Sequence, residues 1–119
     1  MKYLLLLYTD KRVYEERSAD ENARLFDEYM AYSRRIHRSG NYVAGEGLEH
    51  ASTAKTVRRR KGRRITTDGP FAETRELLGG FYLVEAKDLN EAIELASGIP
   101  AARTGKVEVR PIMPTPAIE

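Results

Sequence analysis

The start of this sequence restricts the fold more than any other segment. Tyr3, Leu5 and Leu7 alternate with Leu4, Leu6 and Tyr8, so an extended chain here is apolar on both of its faces. A strand with one wet face alternates apolar with polar residues; this one must be covered on both sides. A helix suits one face, and a second sheet, supplied by another copy of the chain, is expected to cover the other. Asp10, Lys11 and Arg12 end the run, far short of the ~20 apolar residues that cross a bilayer. A secretory leader would need a longer apolar stretch and a small-residue cleavage site. The expectation is a cytoplasmic protein with no membrane partner.

The remaining elements follow from periodicity and punctuation. Ser18 with Glu21 has the spacing of a capping box, and Gly40 is placed to stop a helix in the left-handed region. Between them Leu25, Phe26, Tyr29, Ser33 and Ile36 form a stripe at three- and four-residue steps, predicting an amphipathic helix. Asp20 and Glu21 at its start, and Arg34, Arg35, His37 and Arg38 at its end, suit the helix dipole. Tyr42–Leu48 reads as a strand interrupted by glycines. Thr56–Arg59 and Arg64–Thr67 flank Lys61-Gly62 and predict a hairpin. After the turn Asp68-Gly69-Pro70, Phe81–Ala86 is a mostly apolar strand. A second helix runs from Asp88 with Leu89, Ala92, Ile93 and Ala96 as its buried stripe, stopped by Gly98 and Pro100. Lys106–Arg110 alternates valines inward with charges outward, and Pro111, Pro114 and Pro116 make a stiff tail from about residue 111.

The 119 residues are expected to form a single domain, 1–119, large enough for one core without staples. There is no cysteine, which excludes disulfides, thiol nucleophiles and thiolate metal sites. Strands and helices in the order β, α, β, hairpin, β, α, β predict an α+β fold, an antiparallel sheet with two helices on one face. The other sheet face, read as carrying Tyr3, Leu5, Leu7 and the apolar set of Phe81–Val84, is then too apolar for water, and packing two such faces predicts a homodimer.

The stretch Thr67-Asp68-Gly69-Pro70-Phe71-Ala72-Glu73-Thr74-Arg75-Glu76 resembles the YCII-related family, specifically the branch named for its Asp-Gly-Pro-Phe motif. Met1–Tyr8, Gly45-Glu46-Gly47-Leu48, Leu78–Tyr82, Asp88–Ala92, Ile99–Arg103 and Val107–Pro111 are similar to that branch as well. The resemblance implies a ferredoxin-like subunit assembled as a dimeric α/β barrel. It also implies a histidine on the first helix paired with an aspartate after the central hairpin. Asp68 looks like that aspartate. The helix departs from the pattern, with Glu28 or Tyr29 near the expected histidine and His37 about two turns further on. Members of the branch are associated with alternative sigma factors, which implies a regulatory setting.

Asp68 is the candidate catalytic residue: a carboxylate at a strand end beside Phe71 is suited to acid or base work if desolvated. An aspartate before Gly-Pro also starts a turn by bonding its own backbone. Tyr29, Tyr82, Arg110 and Phe71 are the candidate ligand-binding residues. Tyrosine offers an apolar body with a polar tip, and arginine clamps a carboxylate; core packing and a solvated strand position are the competing roles. Glu73 and Glu76 near Asp68 match no calcium loop, and His37 and His50 match no zinc spacing, so no metal and no cofactor are expected. Nucleotide-binding and serine-hydrolase glycine motifs are absent from the sequence. The run Arg58-Arg59-Arg60-Lys61-Gly62-Arg63-Arg64 has six cations in seven residues. Without interleaved aromatics it reads as charge guarding a sheet edge rather than a nucleic-acid site. Two functional readings stand: a homodimer binding a small organic ligand between sheet and helix with Asp-based proton transfer, or a non-catalytic regulatory module linked to transcription.

Overall fold

In the computed structural model, which describes residues 1–72 and 74–118, the doubly apolar N-terminal run becomes an interior strand. The elements in chain order are β1 (Lys2–Asp10), α1 (Lys11–Glu16), α2 (Ala19–Arg38), β2 (Tyr42–Gly47), β3 (Lys55–Arg60), β4 (Arg63–Asp68), β5 (Glu76–Glu85), α3 (Leu89–Ser97), α4 (Ala101–Thr104) and β6 (Gly105–Pro111). Four strands form an antiparallel sheet in the order β2-β5-β1-β6. With α2 and α3 packed on one side, this is the ferredoxin-like arrangement. Strands β3 and β4 pair only with each other, as a separate two-stranded ribbon inserted between β2 and β5.

The register sorts the apolar residues of β1 onto two different surfaces. Leu5 stands opposite Tyr82 and Val109, and Tyr3 opposite Val84. These side chains face the helices and form the core with Tyr32, Ile36, Ala92, Ala96 and Ile99; Leu5 is 0% exposed. The side chains between them, Leu4, Leu6 and Tyr8, share the other face with Phe81 and Leu83. None of those five is buried. The sequence pattern grouped Tyr3, Leu5 and Leu7 with the surface needing a second sheet. The helices instead bury those three, and the alternate set is left uncovered. Among the described residues, no helix is long and apolar enough to cross a membrane.

Both long helices begin as their capping residues dictate. The Ser18 hydroxyl accepts from the Glu21 N–H and the Glu21 carboxylate accepts from the Ser18 N–H, the reciprocal box that satisfies two otherwise orphaned donors. Asp88 accepts from the Glu91 N–H in the same manner. Gly40, at φ +81°, takes the left-handed turn that ends α2. The buried stripes are narrower than the spacing suggests. In α2 only Tyr32 and Ile36 are buried, and Phe26 is 64% exposed. In α3 Ala92 and Ala96 go in, while Leu89 and Ile93 stay half out. The short helix α1 has no apolar period. It forms because Asp10 caps it, accepting from the N–H groups of Arg12 (2.9 Å) and Val13 (3.3 Å).

Candidate functional site: a cleft between helix α2 and the sheet

The narrow stripe of α2 leaves its first half standing off the sheet. A cleft of about 630 Å³ opens there, within the range of small-molecule sites. Strands β2 and β5 form its floor, with Gly45, Gly47, Leu77 and Tyr82. Helix α2 forms one wall, with Leu25, Phe26, Tyr29, Met30 and Ser33. Tyr14 and Arg17, carried by α1 and the residue that ends it, and Leu48, His50 and Ala51, from the segment after β2, complete the lining.

The lining also carries Thr9, Asn22, Glu46 and Glu49, and the hydroxyls between α2 and the sheet are held in place. The Tyr82 hydroxyl lies 2.8 Å from Ser33 Oγ. Its ring is held edge-on by Tyr32 at 5.2 Å and by Tyr42 at 6.4 Å between centroids. Burial raises the Tyr82 phenol, offset in part by the bond from Ser33. Burial, with Tyr82 beside it, pushes Tyr29 up to about 12, against the pull of Arg17 and Arg103. Both phenols are therefore neutral at physiological pH and serve as hydrogen-bonding groups.

His50 stands in the same lining as Glu46 and Glu49. Its Nδ1 accepts from the Ser52 N–H at 3.0 Å, capping a single 3₁₀ turn at Ala51–Thr53. An accepting Nδ1 places the ring proton on Nε2, which faces Glu15 Oε2 at 3.3 Å. The Tyr14 ring packs at 5.3 Å. Ser52 Oγ lies 2.9 Å from Nδ1, so serine, histidine and glutamate follow one another as in a nucleophilic triad. The single lone pair of Nδ1 already accepts the Ser52 N–H, and the ring is poorly set to take the hydroxyl proton as well.

Of the residues singled out from sequence, Tyr29 and Tyr82 line this cleft. Asp68 ends β4 on the outer surface, its side chain 87% exposed and paired with Lys55 Nζ at 2.5 Å. Phe71 is 91% exposed in the loop beyond. Arg110 sits on the uncovered sheet face opposite Leu4 and pairs with Glu108 of its own strand. Glu28 is bonded to Arg103, and His37 stacks on Tyr42 at 3.8 Å. Glu76 pairs with Lys106; Glu73 lies outside the described residues. Tyr14, Arg17 and His50 were not signalled as a group. They sit on a capped half-helix and a 3₁₀ turn, neither of which has a hydrophobic period to reveal which way its side chains point.

The family model of the YCII-related domain matches residues 1–116. An uncharacterised protein of Rhizobium meliloti (strain 1021) is 37% identical over 114 residues, covering 94% of this chain and 92% of the relative.

Proposed function

This chain belongs to the YCII-related domain family, and we propose that it is a homodimer whose cleft binds a small aromatic or aliphatic carboxylic acid. The observation that carries the ligand reading is the lining of the cleft. Leu25, Phe26, Met30 and Leu48 supply apolar walls; the Ser33–Tyr82 hydroxyl pair lies among them, and half-buried Arg17 is a cation beside Tyr29. An apolar body ending in one anion suits such a site. His50, bonded to Glu15, presents its imidazole in the same lining. Asp68 has no part in this reading, because it is solvated and paired with Lys55.

The homodimer reading rests on the uncovered face. Leu4, Leu6, Tyr8, Phe81 and Leu83 make an apolar stripe. Lys106, Glu108 and Arg110 flank it on one edge and Glu46 on the other. An apolar centre with a charged rim is the anatomy of a protein interface, and a self-complementary patch closes as a two-fold dimer.

The ligand test is thermal shift and calorimetry with benzoate, phenylacetate, indole-3-acetate and octanoate. At least one is expected to raise the melting temperature in a saturable way. Arg17→Gln is expected to weaken that acid by about 10-fold or more, the worth of a charge-assisted bond. Failure of all four at millimolar concentration, or equal binding by Arg17→Gln, would overturn the assignment.

A further inference from the structure

We propose that the β3–β4 ribbon is an arm that inserts into the major groove of duplex DNA. Six of the chain's 20 basic residues and none of its 18 acids fall within Arg58–Arg64, so a chain of net charge +2 has a net negative body and a strongly cationic arm. Among the described residues, none of the six forms an ion pair. Cross-strand pairing sets Arg59 opposite Arg64 and Arg60 opposite Arg63. Like charges placed directly opposite one another destabilise a ribbon that already lacks a third strand to support it. The ribbon belongs to no edge of the four-stranded sheet; its charge lies along its own two free edges. The radius of gyration is 16.4 Å, where a compact chain of this length has about 13–14 Å; the arm stands out from the body.

The disposition of the charges selects the partner. The two-residue alternation puts Arg58, Arg60 and Arg63 on one face of the ribbon and Arg59 and Arg64 on the other, with Lys61 at the tip. The tip turns tightly, Lys61 at φ 49° and Gly62 at φ 77°. A flat acidic protein surface meets one face of a ribbon. A groove walled on both sides by phosphates meets both faces and the tip at once. The major groove of B-form DNA is about 12 Å wide and admits a two-stranded ribbon. Six residues per strand reach about 20 Å, more than the ~8.5 Å groove depth. Arginine bonds both phosphate oxygens and the guanine edge in this groove, and a mixed-sequence duplex supplies both kinds of partner.

The test is fluorescence anisotropy of the full chain with a labelled mixed-sequence DNA duplex of about 20 base pairs, two helical turns, from about 50 to 200 mM salt. The wild type is expected to bind at low salt. Arg59→Gln/Arg64→Gln should lower the slope of log K against log salt by about 2, and Arg58→Gln/Arg60→Gln/Arg63→Gln by about 3. The corresponding Arg→Lys variants should restore the slope, which separates charge from folding of the arm. The proposal is overturned by absence of duplex binding at low salt, by loss confined to one face's variant, or by variants that change the oligomeric state and leave DNA binding intact. The last result would make a second copy the arm's occupant.

Discussion

Replacing Gly45 by alanine tests the packing of the cleft floor. A Cβ added at Gly45 would lie 2.8 Å from Tyr82 Cδ1, 3.2 Å from Cε1 and 3.3 Å from the Phe81 carbonyl oxygen. Relief requires the Tyr82 ring to retreat by about 0.6 Å, and dispersion contacts are sensitive to shifts of that size. The ring has little room to do so. It is 7% exposed, braced by Tyr32 and Tyr42, and tethered to Ser33. Overpacking of this kind costs about 1–3 kcal/mol, and a lost Ser33–Tyr82 bond about 1 kcal/mol more. With an unfolding entropy of about 2.1 cal/mol/K per residue over 119 residues, each kcal/mol is worth about 4 °C, so the expected fall is about 8–16 °C. Gly47→Ala is the matched control. It lies two residues along the same strand, and nothing stands within 4 Å of its added Cβ. It should be neutral or gain up to about 1 kcal/mol from a stiffer unfolded chain. Both are read by circular dichroism melts at one protein concentration, since a dimer's midpoint depends on it. A Gly45→Ala midpoint within a degree or two of wild type, or an equal loss in Gly47→Ala, would refute the account of the floor.

Leu6→Asp places a charge at the centre of the uncovered sheet face; light scattering should report a dimer for the wild type and a monomer for the variant, and an unchanged mass would remove that face from the interface. Burial raises the phenols of Tyr29, Tyr32 and Tyr82 above the ordinary value of 10. Above that value the unfolded chain loses protons that the folded chain keeps, so stability is full below pH 10 and falls as pH rises through about 12, where Tyr29 titrates. Denaturant melts across that window should show the decline, and absorbance near 295 nm should show three late phenolates; a flat profile would contradict their burial. Asp68→Asn should change stability by less than about 1 kcal/mol, because its pairing with Lys55 is exposed, and should leave ligand binding in the cleft untouched; a large loss of either would return Asp68 to the site.

The sequence made the order of the six strands and two long helices, the capping box at Ser18 and the turn at Gly40 legible because each is a local rule with few alternatives; the short helices α1 and α4 were not legible. The doubly apolar β1 was legible as well, since a period of two separates its faces without ambiguity. Which face met the helices was not, because Tyr3, Leu5 and Leu7 differ little from Leu4, Leu6 and Tyr8 in hydrophobicity. Only the pairing with Tyr82, Val84 and Val109 decides it. In α2 the spacing put Phe26 in the buried stripe, but the ring lines the cleft and stays largely exposed. Tyr29 and Tyr82 could be found as amphipathic residues in apolar stretches. His50 and Arg17 could not, because their positions depend on two short capped turns brought together only by the tertiary fold.

The excursion between β2 and β5 is pinched shut at its base, where the Leu48 N–H donates to the Gly79 carbonyl at 2.8 Å. Among the described residues, none from 49 to 75 belongs to the buried core. His50 and the cationic ribbon ride on this one inserted segment, which meets the body again where His50 bonds Glu15 and the Lys11 N–H donates to the Arg75 carbonyl. A lineage can therefore rewrite the wall of its cleft and the reach of its arm in one step, by trading a single cassette, without disturbing a residue of the core.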